Sequence, residues 1–139
     1  MKTSRLIFSL FLLPLMMVSC KKDGEIDREL NAKENQLVGT WNATSVVGQL
    51  LDANGEVQDE QTITDIDVTF VFKANGKVID NEGFEGTFRV ENDRIIISYE
   101  DDDDYIYDIV SLTATEAVVL FEFDGPMGRT KDRYTLVKQ

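Results

Sequence analysis

Reactive side chains are scarce in this chain. It has no histidine and a single cysteine, Cys20, so the commonest general base and the imidazole ligands of zinc sites are missing, and thiol chemistry is confined to one position. Carboxylate is abundant, with 26 Asp and Glu against 14 Lys and Arg. Two carboxylates can share acid and base work when their surroundings push their pKa values apart, but no spacing here marks such a pair. The densest run, Glu100-Asp101-Asp102-Asp103-Asp104, could offer hard oxygen ligands to a cation. It lacks the alternation and the glycine of a calcium loop, and crowded like charges at a strand connection belong in water. No glycine-rich phosphate loop, nucleophile elbow or metalloprotease motif occurs. The expectation is a protein with no catalytic residues, no metal and no cofactor, and hence not an enzyme.

Cys20 has a telling context. Lys2 and Arg5 make a positive start, Leu6 to Val18 is an apolar run broken only by Ser9 and Pro14, and Ser19 precedes the cysteine. That is the pattern of a secretory signal peptide. Thirteen helical residues rise only ~20 Å against a hydrocarbon core of ~30 Å, too short for a permanent span. Met17-Val18-Ser19-Cys20 resembles the lipobox of bacterial lipoproteins, in which the chain is cut before a cysteine that then carries acyl chains such as palmitate. Met17 stands where that pattern prefers Leu. One acyl chain alone holds reversibly, so multiple acylation at Cys20 is what makes such an anchor durable. Lys21, rather than Asp, follows the cysteine, which by resemblance to Gram-negative lipoproteins implies attachment to the outer membrane.

Two of the basic residues, Lys2 and Arg5, lie within residues 1–19, so the remainder carries 12 basic and 26 acidic side chains, a net charge of −14. Nucleic acid is excluded as a partner, because a phosphate backbone requires a clustered Lys/Arg surface. Residues 20–139 suffice for one core. The division read from the sequence is a signal peptide over residues 1–19, a tether and short helix over 20–36, and a folded domain over 37–139. The helix is expected over Ile26–Leu37, with Ile26, Leu30 and Leu37 on one face and Asp27, Glu29 and Glu34 on the wet side.

From Val38 onward the period changes to 2. Ile66 to Lys73 alternates as a half-buried strand, and Asn75-Gly76 predicts a tight type I′ hairpin into the strand starting at Lys77. Further strands are expected over Trp41–Leu51, Thr87–Glu91, Arg94–Tyr99, Tyr105–Leu112, Ala117–Asp124 and Arg133–Lys138. Asp52–Thr64 and Glu100–Tyr105 read as rim loops. Eight strands joined in sequence by short turns predict a meander, and a meander that must hide one face and both edges closes into an up-and-down barrel. A two-sheet sandwich is the alternative.

Leu37-Val38-Gly39-Thr40-Trp41 resembles the G-x-W signature that opens the first strand of lipocalins, and more closely the lipocalin-like domains of Gram-negative lipoproteins. The likeness runs from about Leu37 to Lys138 and includes the Asn75-Gly76 hairpin, Gly86-Thr87-Phe88 and the closing Arg133-Tyr134-Thr135-Leu136. It implies that Gly39 and Trp41 seal one end of the barrel and that Arg133 lies over the tryptophan as a cation on an aromatic face. Inward positions are expected at Val68, Phe70, Phe72, Phe88, Ile95, Ile97, Phe121 and Phe123. Among these Phe70, Phe72, Phe88, Phe121 and Phe123 are the candidates to line a pocket, although aromatics in such numbers more often fill a core. The function implied is non-enzymatic binding of a small hydrophobic ligand by a membrane-tethered barrel. The alternative is a cell-envelope interaction module with a filled barrel, whose protein partner the sequence does not name.

Overall fold

The computed structural model describes residues 28–139; the stretch expected to be a signal peptide and Cys20 lie outside the described residues. A short helix, α1 (Ala32–Leu37), leads into nine strands: β1 (Gly39–Leu51), β2 (Val57–Ile63), β3 (Thr69–Phe72), β4 (Lys77–Asp80), β5 (Glu85–Glu91), β6 (Arg94–Tyr99), β7 (Tyr105–Leu112), β8 (Glu116–Gly125) and β9 (Gly128–Lys138). From β3 to β9 each strand pairs antiparallel with the next, and β9 returns to pair with β1 from Trp41↔Lys138 to Leu51↔Arg129. β3 lies along the other edge of β1 at Gly39–Asn42. The closed, eight-stranded antiparallel barrel expected from the meander is therefore present, built of β1 and β3–β9. Bulges at Thr44 in β1 and Val110 in β7 add the local bend that closure demands. Among the described residues no helix is long and apolar enough to cross a membrane.

The ninth strand corrects the reading of Asp52–Thr64 as a loop. β1 is 13 residues long, and β3 covers only its first four positions. The bare backbone edge beyond Val46 is met by β2, which folds back on it with Val46 opposite Ile63 and is exposed at every residue. A strand that buries nothing has no apolar alternation to betray it. Its cause is the unsatisfied hydrogen-bonding edge of its neighbour.

The hairpins are also corrected in kind. At Lys73–Gly76 the Gly76 N–H donates to Lys73 O (3.0 Å) and the Lys73 N–H to Lys77 O (2.8 Å), with φ positive at Gly76 alone. This is a type I turn closed by a glycine bulge, and the same pattern recurs at Asp52–Gly55 and Asp80–Gly83. Two consecutive positive φ values, the requirement of type I′, fall instead at Asn92 (48°) and Asp93 (59°).

α1 is shorter than expected. It begins at Ala32 because Asn31 caps it, its side chain accepting from the Glu34 N–H (3.0 Å) while Glu34 accepts from the Asn31 N–H (2.8 Å). Glu34, placed by periodicity on the wet side, is instead 1 % exposed. It also accepts from the Val90 N–H (2.8 Å) and from Arg28 (2.6 Å), and Arg28 and Asn31 donate in turn to Phe88 O and Val90 O. The capping carboxylate thus rivets the helix to β5 and shuts one end of the barrel. Behind it lies the core, formed by Leu37, Trp41, Phe72, Val78, Phe88, Ile95, Ile97, Val119 and Leu136.

Candidate functional site

Strand geometry decides which side chains enter the barrel. Alternate residues face inward, so one inward row of β6 reads Ile95, Ile97, Tyr99, and one of β9 reads Lys138, Leu136, Tyr134, Asp132. At the helix-capped end these rows are aliphatic and sealed. Trp41 is fully buried, its Nε1–H donating to Leu37 O at 2.6 Å. The cation over its ring is Lys138, with Nζ 5.4 Å from the centroid and donating to Gln36 O. This corrects the placement of Arg133. Arg133 is opposite Val47 in the sheet, six positions from Trp41, and is odd in a strand whose even residues face inward. Gly39 makes room for the lysine, since a Cβ there, at φ 137°, would lie 2.5 Å from Lys138 Cε.

Toward the other end the rows become aromatic and the interior opens. A cavity of about 710 Å³ is bounded by Val68 and Phe70, by the β4–β5 turn with Asp80, Glu82, Phe84 and Glu85, and by the β6–β7 turn with Glu100, Asp101 and Asp102. Its remaining walls are Tyr99, Tyr105, Tyr107 and Tyr134, every tyrosine in the chain. The rings touch in sequence from core to rim. Phe88 meets Phe72 edge-on (centroids 4.9 Å apart), Phe72 stacks on Phe70 (6.0 Å), and Phe70 meets Tyr107 edge-on (6.0 Å). Tyr107 stacks on Phe121 (5.0 Å) and Tyr105 stands at 84° to Tyr99. Offset and edge-on contacts of this kind hold the rings in place, so the wall is largely formed before anything enters.

The expected pocket residues are thereby sorted. Phe70 faces the cavity, while Phe72 and Phe88 are 3 % and 2 % exposed and belong to the sealed core below it. Phe121 backs the wall by stacking on Tyr105 and Tyr107. Phe123, at 43 % exposure, lies out near the β8–β9 turn. The four tyrosines were the residues missed. Their signal was present, because Tyr99 continues the alternation of Ile95 and Ile97, and Tyr134 is two residues from buried Leu136.

The electrostatics of the cavity are one-sided. Burial raises the phenol pKa of Tyr99, and Asp80 raises it further; burial likewise raises that of Tyr107 beside Tyr134, and that of Tyr134 near Asp132. Tyr105 is raised first by donating its hydroxyl to Asp102 (2.9 Å). The phenol of Tyr105 is thus held in its neutral form by Asp102 and that of Tyr99 by burial and Asp80, and burial does the same for Tyr107 and Tyr134. Of the rim carboxylates, Glu85 pairs with Lys77 (2.6 Å) and Lys73 (3.8 Å), while Asp80 accepts the N–H groups of Glu82 and Phe84. Among the described residues no three His, Cys, Asp or Glu side chains are grouped so as to hold a metal ion, the Glu100–Asp104 run included. The arrangement is suited to holding a molecule by ring faces, hydroxyls and rim charge, and it pairs no nucleophile with a base.

Residues 37–119 match the family model of the lipocalin-like domain. Similar solved structures include a deswapped triple mutant of bovine odorant binding protein, 20% identical over 75% of this chain and 74% of that one with a TM-score of 0.39. Another is bovine odorant binding protein in complex with a selenium-containing odorant, 18% identical over 82% and 77% with a TM-score of 0.41. No curated protein sequence matches.

Proposed function

The chain belongs to the lipocalin-like domain family, and on that premise we propose that it is a non-enzymatic binding protein whose barrel takes a small, largely apolar molecule while acylated Cys20 tethers it to the outer membrane. The observation that carries the binding reading is the cavity of about 710 Å³ above a sealed floor, walled by pre-set aromatic rings. Its size falls within the range of sites that enclose small ligands, roughly 300–1,000 Å³, and its mix of ring faces with a few hydroxyls is the usual lining of such sites. The tether is supported by the basic start, the apolar run and the Ser19-Cys20 junction. The −14 charge of residues 20–139 keeps a tethered domain from lying down on an anionic surface.

Native mass spectrometry of the full chain taken from its own membranes tests both halves. The expected result is a retained small-molecule adduct and an acylated peptide beginning at Cys20. Binding fails as a reading if the protein is adduct-free and takes up no small apolar compound on titration; the tether fails if the amino terminus is unmodified and upstream of Cys20. A second reading, capture of an envelope protein, is favoured by one feature, the wholly exposed β2 with its outer edge unpaired among the described residues.

A further inference from the structure

We propose that the occupant of the cavity is an organic cation with an apolar body, an amine or quaternary ammonium compound, and not a carboxylate or phosphate amphiphile. This rests on the binding reading above and adds the sign of the ligand's charge. Among the described residues no Lys or Arg lines the cavity, whereas six carboxylates do. Glu85 is neutralised by Lys77 and Lys73, but Asp80, Glu82, Glu100, Asp101 and Asp102 have no cationic partner among the described residues. Beyond Tyr134 on the inward row of β9, further from the sealed end and outside the cavity lining, Asp132 adds another carboxylate without a cationic partner among the described residues, and burial raises its pKa.

The rings act in the same direction. Each phenol face carries the negative lobe of its quadrupole, so a cation set among Tyr99, Tyr105, Tyr107 and Tyr134 is attracted from several sides. The fold already uses this interaction at its other end, where Lys138 lies over Trp41. An anion entering the same space would meet the rim and the ring faces with every sign reversed. Among the described residues no lining cation would offset that repulsion. The apolar body of the ligand would rest against Val68 and Phe70 on the cavity wall, with its charged end toward the rim.

The test uses three molecules of one shape: 1-naphthylmethylamine, 1-naphthylmethanol and 1-naphthoate. Each is titrated by fluorescence into the full chain in neutral lipid nanodiscs, with empty nanodiscs as the blank. The amine should bind about tenfold more tightly than the alcohol, and the carboxylate most weakly. Tyr107→Leu should weaken all three. The combined Glu100→Gln, Asp101→Asn, Asp102→Asn variant changes only exposed side chains, and Asn tolerates the positive φ (64°) at position 101. It should cut amine affinity severalfold and change the alcohol's by much less. Equal binding of the three, or a preference for naphthoate, overturns the cation while leaving the apolar-ligand reading standing. An amine preference that survives intact in the triple variant overturns the role of the rim, and failure of all three to bind overturns both readings.

Discussion

The two ends of this barrel are built from the same strands and do opposite things with them. At the helix-capped end every polar group that goes inside is answered: Glu34 by three donors, the Trp41 N–H by Leu37 O, the Asn31 amide by Val90 O. At the open end four phenols and a rim of carboxylates face a cavity that none of the described residues fills. The change happens within single strands, over two or three inward positions, as Ile97 gives way to Tyr99 and Leu136 to Tyr134 and Asp132. Stability is thereby concentrated away from the cavity, and the open end is free to keep groups that a packed core would not tolerate.

The most severe way to test that division is Trp41→Ala. Trp41 is fully buried among Leu37, Phe72, Phe88 and Leu136, so truncation should cost about 4 kcal/mol, a large share of the stability of a domain this size. Urea denaturation followed by circular dichroism measures it. Tyr107→Leu, at the open end, should cost far less while weakening ligand uptake; comparable losses from the two variants would mean that stability is not polarised. Glu34→Gln comes next. It keeps the side chain's size but removes the charge that Arg28, Val90 and Asn31 all donate to, and should cost about 2–3 kcal/mol. Burial alone would raise the Glu34 pKa, but those hydrogen bonds outweigh it and hold the carboxyl below its usual range. A depressed folded pKa means that the contribution is complete above the unfolded value of about 4.3 and disappears as pH falls through the folded one. The gap between wild type and variant should therefore be constant at neutral pH and close below about pH 4. A gap that widens with acid would place the stabilising charge elsewhere.

Barrel and strand order were legible because each is a consequence of period-2 alternation and short turns, which a sequence displays directly, whereas the sealing role of Trp41 came from the resemblance of Gly39-Thr40-Trp41 to the lipocalin signature. β2 was not, since Val57 to Ile63 has no buried face and exists only because β1 outruns β3. Glu34 was not, because a charged residue in a short helix belongs on the wet side unless a distant donor, here the Val90 N–H, joins the nearby Asn31 and Arg28 in burying it. Phenylalanine drew attention away from tyrosine for a related reason. Hydrophobicity marks what is buried, and the site lies where burial stops, so Phe72 and Phe88 went into the floor while the less apolar rings formed the wall.

The smallest effect separates two cations that the sequence could not tell apart until parity was applied. Lys138 shares its inward row with Leu136 and Tyr134 and sits 5.4 Å from the Trp41 centroid, so Lys138→Met should cost about 1 kcal/mol through the lost ring contact and the bond to Gln36 O. Arg133 is one position out of phase and pairs across the sheet with Val47 and Leu120. Arg133→Met should therefore change stability by less than about 0.5 kcal/mol, as surface substitutions usually do. The two differ in a second way, because only Lys138 perturbs the indole. Replacing it should shift the emission of Trp41, the single tryptophan, whereas replacing Arg133 should leave the spectrum unchanged. A shift with Arg133→Met and none with Lys138→Met would put the inward parity of β9 one residue off, and with it the placement of Tyr134 in the cavity wall.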